Sequence, residues 1–415
     1  MIGTHALAQE TLDDLAGGHG GPVAIKELWR GQDSRRLLLL RLFVEQAGPD
    51  DGHTEAVAAI IAAEERDEGA RRVLTEPMVG MWAARTIRAI SRSAATPADS
   101  GHFAAVAAAA ALRAGSTAEV TGHARNGWLY LPAIGRVRVP ATTGPVRLKA
   151  QGGRLWIDGV ESDPGGPDRQ ERRRLTAGDL TVFLEDLDPY RDIYHVPAAH
   201  RLTANESDVW RRRLDETWSI LTEFAPGRAG ELAEGLQSLV PLTTPHANAA
   251  HSATAKEAVG VVGLDLPRGP ADFAVALVHE FQHSKLSAVL DLVPLFQDSS
   301  RQTFFAPWRT DPRPIGGLLQ GVYAFLGVAD VWRVLSTRPD RFPSAQSEFA
   351  AARAQVADAI ATVTTSGLLT TAGQRFVRGM AAAAERLHAT ELPAETVTAA
   401  ERALESRRSA WLKAR

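Results

Sequence analysis

Cysteine is absent from all 415 residues, which removes disulfide scaffolds, thiolate metal sites and cysteine nucleophiles together. Charge of one sign is not in excess either. The 46 basic and 49 acidic side chains leave a formal net charge of -3, so no global field draws the chain to nucleic acid or an anionic membrane. Long apolar runs are also lacking: Phe103–Ala111 and Phe273–Val278 fall well short of the about 20 residues that span a bilayer. The N-terminus, MIGTHALAQETLDDLAGGHG, carries acids where a secretory signal has a basic and then an apolar region. These absences lead to the expectation of a cytoplasmic protein with neither nucleic acid nor membrane as partner. What is present, 45% hydrophobic and 23% charged residues, suits a globular protein and excludes disordered, collagen-like and coiled-coil classes. The length predicts two or three domains, because single cores stop growing near roughly 250–300 residues.

Apolar spacing of three and four residues through Leu37–Phe43, Ala56–Ile61 and Trp82–Ile90 predicts a helical region over 1–115, with Ala104–Ala111 as a buried helix. From Ala118 to Gly159 the period changes to two, and Asn126-Gly127, Gly144-Pro145 and Gly152-Gly153 punctuate it. This pattern is a meander of short antiparallel strands. The glycine- and arginine-rich stretch Ser162–Arg174 reads as a flexible exposed loop closing a β-insertion over 116–187, with the Arg172–Arg174 triplet in solvent. Beyond it, 188–415 reads as a helical, metal-binding region. Helices are expected over Glu206–Phe224, capped by Asn205 or Ser207, and over Gly230–Leu239, Pro270–Leu292 and Gly317–Leu335. Ala258–Leu266 is β-rich and reads as one strand.

One motif carries chemistry. His279-Glu280-Phe281-Gln282-His283 is an H-E-x-x-H inside a segment that is helical on independent grounds. At 3.6 residues per turn its histidines lie one above the other, so two imidazole nitrogens can converge on one ion. With 12 histidines in the chain, composition alone yields about 0.02 such pentapeptides. Were the ion zinc, Glu280 would act as catalytic base on metal-bound water. The upstream strand is expected to border the site with a free edge, where Val261, Val262 and Gly263 would hold an extended peptide by backbone hydrogen bonds.

The third ligand is open. The metzincin third histidine is missing, since Ser284-Lys285-Leu286-Ser287-Ala288 follows the motif, and no glutamate occurs between His283 and Arg333. Candidates are Gln320, Asp330, Asp298, Asp291, His246 and His251, with Gln320 ranked first as a metal ligand by position. The loop Phe304–Pro314 is rich in aromatics, arginine and proline. Its guanidinium groups could grip a carboxylate bidentately, or pair with Asp311 and solvent. The other histidines stand singly and read as ordinary polar or packing residues.

Three segments, AKEAVGVVGLDLP, LVHEFQHSKLSAVLDLVPL and WRTDPRPIGGLLQGVYAFLGVADVW, resemble the HEXXH-motif domain family of actinobacterial ribosomally made, post-translationally modified peptides. The flanks, from His5 to the GLLTTAGQRFVRGM helix, look similar too. The resemblance implies an Fe(II)- and 2-oxoglutarate-dependent oxygenase, using O2, that hydroxylates a side-chain β-carbon of a precursor peptide alongside companion maturation enzymes. It further implies that Arg309 or Arg313 binds the distal carboxylate of 2-oxoglutarate, and that Glu280 completes the iron shell or orients it. Residue chemistry by itself leaves a zinc metallopeptidase as the alternative. The expected fold is α+β and predominantly helical, with a zincin-like HExxH helix beside an edge strand and a small antiparallel β-insertion.

Overall fold

The computed structural model describes residues 5–48, 51–192, 196–243, 251–297 and 302–414. The chain is mixed α+β and mostly helical. Helices α1 (Gln9–Ala16), α2 (Gly21–Ala47), α3 (Asp51–Arg66), α4 (Gly69–Leu74), α5 (Pro77–Ile90), α6 (Pro97–Ser100) and α7 (His102–Ala114) come first. Proline in the first turn of α2, α5 and α6 presets the helical φ where no donor is needed. The alanine run of α7 is buried throughout. Its methyl-only surface lets α3 and strand β1 pack closely against it, and Gly115 ends it in the left-handed region at φ 63.

The period-two segment forms β1 (Ala118–Ala124), β2 (Trp128–Leu131), β3 (Gly135–Arg138), β4 (Gly144–Gln151), β5 (Arg154–Ile157) and β6 (Val160–Glu161). Strands β1, β4, β5 and β6 make one antiparallel sheet. The expectation of a solvated loop over Ser162–Arg174 is corrected in its second half. Arg169–Glu171 is β7, which pairs with β3 beside β2, and β8 (Arg173–Ala177) begins two residues later. Between them Arg172 is buried, 2.8 Å from Glu76 and 2.7 Å from Glu185, its guanidinium over the Phe183 ring. Two carboxylates from distant segments explain how an arginine sits inside.

Strand β9 (Leu180–Leu184) leads to α8 (Ala204–Phe224) and α9 (Pro226–Gly235). The cap of α8 is Thr203, with Glu206 completing a capping box, so the T-x-x-E signature acts upstream of both expected caps, Asn205 and Ser207. The helix expected over Gly230–Leu239 ends at Gly235. Ser238–Pro241 is instead strand β10, buried at all four positions. A parallel strand covered on both faces shows continuous burial, so its sequence carries no alternation. It runs parallel to β9 on one side and to β12 (Val261–Leu264) on the other. The two-residue β11 (Ser252–Ala253) pairs antiparallel with β12, and the sheet order is β11-β12-β10-β9-β8. The free edge expected at β12 is taken at its end, where Ser252 faces Leu264 and Ala253 faces Gly263; β11 does not reach Val261 and Val262, whose side chains are wholly buried.

Helices α10 (Pro270–Leu290), α11 (Ile315–Leu335), α12 (Ala345–Thr365), α13 (Thr371–His388) and α14 (Ala394–Lys413) complete the fold, with a short ribbon of β13 (Thr303–Phe304) and β14 (Arg313–Pro314) before α11. By length and composition α11 could cross a membrane, but 72% of its apolar window is buried inside the fold, where it packs between α10 and α12. Two hydrophobic cores organise the chain. One joins α1 and the first half of α2 to β8–β10 and α8–α13; the other joins the rest of α2 and α3–α7 to the meander. The boundary expected at 115 thus runs through a single core shared by α7 and β1.

Candidate metal centre

Helix α10 opens with Pro270 after Gly269 and carries the motif in its middle turns. His279 and His283 project together, their Nε2 atoms 3.2 Å apart and their rings nearly perpendicular at 84°. Two metal–nitrogen bonds of about 2.0–2.1 Å, at a right or tetrahedral angle, separate their nitrogens by roughly 2.9–3.4 Å. The pair fits one ion. Burial and the neighbouring His283 push the His279 imidazole down to about 4, against the pull of Glu280. At neutral pH its lone pair is free to bind metal.

The residue ranked first as third ligand has another role. Gln320 on α11 faces His283 from behind: its Oε1 accepts from His283 Nδ1 at 3.0 Å, and its Nε2 donates to Ser287 Oγ at 3.2 Å. A ring whose Nδ1 donates must leave Nε2 bare, so Gln320 fixes the tautomer that can bind an ion. Gln320 is corrected from metal ligand to positioning residue.

Glu280 is only 2% exposed. Its Oε1 accepts from Ser252 Oγ at 2.7 Å, its Oε2 from Thr254 Oγ1 at 2.6 Å, and Oε1 lies 3.9 Å from His279 Nε2. The two hydroxyls went unnoticed in the sequence, although S-x-T spacing sets two side chains on one side of an extended segment.

Two of the remaining ligand candidates, Asp291 and Asp330, are held elsewhere. Asp291 accepts from Gln32 at 2.9 Å and pairs with Arg35. Asp330 pairs with Arg228, Arg333 and His19; against burial, these partners hold its carboxyl well below the usual range. His251 is anchored by its backbone N–H on Asp265, and its Nδ1 is buried without a hydrogen-bond partner. Asp298 and His246 lie outside the described residues. Among the described residues no group of three histidines or acids is placed to hold an ion: the two imidazoles converge, while the Glu280 carboxylate beside them is turned to Ser252 and Thr254. Those are donors suited to zinc or iron(II).

The approach of α11 to α10 depends on Gly327, and that of the preceding loop to α11 on Gly321. At Gly327 a Cβ would stand 2.8 Å from Gln282 Cγ and 2.9 Å from Val278 Cγ1, and at Gly321 it would stand 2.1 Å from Trp308 Cζ2. The space at Gly321 admits the Trp308 indole, which stacks on Phe325 at 4.8 Å; Phe325 in turn meets the His279 ring edge-on at 5.4 Å. The loop before α11 thereby walls one side of the histidine pair. Its arginines, however, meet Asp311: Arg309 Nε at 2.7 Å from Oδ1 and Arg313 Nε at 3.2 Å from Oδ2, with 47% and 34% of their side chains exposed. Of the two roles read for them in the sequence, pairing with Asp311 is the one seen.

Behind the motif, Gln282 and Lys285 donate to one acceptor, the Gly18 carbonyl, at 3.1 and 3.2 Å, and Arg228 donates to it as well. Lys285 is wholly buried and forms an ion pair with Glu231 at 2.9 Å; burial pushes its ammonium down to about 8. Comparison with protein-family models and with curated protein sequences finds no match.

Proposed function

We propose that this protein is an Fe(II)- and 2-oxoglutarate-dependent oxygenase that hydroxylates a side-chain β-carbon of a ribosomally made precursor peptide in the cytoplasm, beside companion maturation enzymes. The observation that carries the reading is the histidine pair, with Nε2 atoms 3.2 Å apart next to a carboxylate already engaged by two hydroxyls. Non-haem iron oxygenases use two imidazoles and one carboxylate with the other positions open; the histidine pair supplies the first two, and Glu280 could supply the third only by leaving Ser252 or Thr254. Bound there with 2-oxoglutarate and O2, iron(II) would insert one oxygen atom into a C–H bond while the cosubstrate becomes succinate and CO2.

The chain's own contribution is positional. His279 and His283 hold the ion, Gln320 keeps the His283 lone pair facing it, and Glu280 supplies negative charge beside it. Phe325 and Trp308 keep water from one side. For Arg309 or Arg313 to take the distal carboxylate of 2-oxoglutarate, that carboxylate would replace Asp311 as partner, an exchange of like for like. The zincin-like arrangement belongs to the same proposal, with α10 packed beside β11 and β12.

A zinc metallopeptidase is the second reading, favoured by the 3.9 Å between Glu280 Oε1 and His279 Nε2, which keeps a carboxylate near any bound water. Each Glu280 oxygen accepts one hydroxyl hydrogen bond and keeps a second lone pair on which a proton from bound water could be taken. The deciding experiment is anaerobic: Fe(II) is added to metal-free protein and 2-oxoglutarate titrated while the visible spectrum is recorded. A saturable charge-transfer band, lost in His279→Ala, is expected. No band, together with tight zinc binding and peptide cleavage abolished by Glu280→Gln, would overturn the oxygenase reading in favour of hydrolysis.

A further inference from the structure

A second concave site lies in the other half of the molecule, on the core built from α3–α7 and the meander. Here a cavity of about 330 Å³ opens between α7, the β2–β3 hairpin and the turn at Leu187–Arg191. Arg125, Arg136 and Arg191 line it together with His123, Trp128 and Tyr130. Among the described residues no carboxylate lines it. Arg125 has its counter-ion in Asp99, at 2.8 Å. The other two have none among the described residues: Arg136 donates from Nε to the Gln170 amide at 3.0 Å, and Arg191 donates to the carbonyls of Asp188 and Ala199 at 2.6 and 2.9 Å. The Arg191 Nε is buried without a hydrogen-bond partner.

Nearby acids offset these charges only in part, Asp186 acting on Arg136 and Asp188 on Arg191 from outside the cavity lining. Asp186 is committed to Arg173 and Arg201. Asp188 is wholly buried and accepts the Tyr190 N–H at 2.7 Å; burial and the charge of Glu185 push its carboxyl up to about 7, so near neutral pH it carries less than a full charge. Arg136 is crowded by its own kind: burial first, then the charges of Arg201 and Arg191, weaken its hold on a proton. Guanidinium groups partly withdrawn from water beside like charges are relieved by an anion, and a planar carboxylate matches their donor geometry. Leu129, Leu187 and Pro189 supply apolar wall between the charges.

We propose that this cavity binds a carboxylate carried on a small apolar body, gripped by Arg136 and Arg191. The inference is independent of the reading of the histidine pair. A cavity of this size holds one amino-acid side chain or a small organic acid, so the carboxylate comes either from an acidic residue of a peptide or from a free acid.

The test is calorimetric titration of the full chain at low salt with three probes: phenylacetate, the neutral phenylacetamide, and the blocked dipeptide acetyl-Asp-Phe-amide. At least one carboxylate probe is expected to saturate, with phenylacetamide weaker by about tenfold or more, since a charge-assisted hydrogen bond contributes about 1.5–3 kcal/mol. Arg136→Met should weaken that probe by a similar factor while leaving circular dichroism and thermal midpoint unchanged. Saturation by phenylacetate assigns a free acid as the source, and saturation by the dipeptide alone assigns a peptide. Phenylacetamide binding as tightly as phenylacetate, or no saturation by either carboxylate at about 10 mM, would overturn the proposal, and neither result depends on how a variant folds.

Discussion

Substituting Gly321 by alanine probes the wall of the histidine pair directly. The added methyl would stand 2.1 Å from Trp308 Cζ2, 2.5 Å from Cε2 and 2.8 Å from Nε1, so the indole must withdraw by more than an ångström to reach ordinary contact. Withdrawal breaks its stack on Phe325, an aromatic pair contributing about 0.5–1.5 kcal/mol beyond area burial. Forcing volume into a packed region costs about 1–3 kcal/mol. Opposing both, alanine gains about 1 kcal/mol over glycine in a helix interior. The balance is a destabilisation of about 1–3 kcal/mol, read as a lower urea midpoint with unchanged m-value. The double variant Gly321→Ala/Trp308→Ala isolates the cause: with the indole gone, alanine at 321 should be more stable than glycine, by up to about 1 kcal/mol. A Gly321→Ala protein as stable as the wild type, or a penalty that survives removal of Trp308, would refute the reasoning.

Gln320→Leu should weaken metal binding about 10–100-fold without abolishing it, measured by zinc competition against a chelator; loss of all binding would restore Gln320 as a ligand. Glu231→Gln leaves the Lys285 ammonium buried without its counter-ion and should cost about 3–5 kcal/mol in urea unfolding, far more than the paired replacement Glu231→Leu/Lys285→Met. His102 is buried among Trp82, Tyr130 and Tyr190, and that burial pushes it down to about 3. The unfolded chain therefore binds this proton first, and stability falls as pH drops from about 6.5 toward 3; His102→Leu should shrink the difference between urea midpoints at pH 7 and pH 4.5. Asp188 acts with the opposite sign, its raised carboxyl favouring the folded state at low pH and losing that advantage as pH rises through 7. Asp188→Asn should raise the midpoint at pH 8 relative to that at pH 5.

Local patterns carried much of this architecture in the sequence. The histidine pair follows from helical period alone, the buried alanine helix from its composition, and the meander from alternation and its glycine turns. Patterns that depend on distant partners were illegible. An arginine triplet in a glycine-rich stretch reads as solvated until Glu76, 96 residues earlier, closes on Arg172. Strand β10 hid because burial on both faces erases alternation. At the metal centre the ligand pair was readable, whereas its supports were not. The ranking of Gln320 by position found the right neighbour of His283, 37 residues away, and misjudged which face of the ring it meets. Ser252 lies in a two-residue strand and Thr254 just after it, and the S-x-T spacing alone does not say that both hydroxyls meet Glu280.

The Gly18 carbonyl, as acceptor for Arg228, Gln282 and Lys285, has a consequence in time. The last two partners lie 264 and 267 residues further along the chain. At about 5–20 residues per second, a ribosome delivers them on the order of 10–50 s after Gly18. Helix α1, which leads into that turn, packs on α13, later still. The first helix made is thus among the last seated, and the rear of the HExxH helix is closed by a contact whose loop entropy is spent late. Completion of the candidate centre is therefore an end-to-end event of the whole chain, and a nascent chain halted before α10 would hold neither face of the motif.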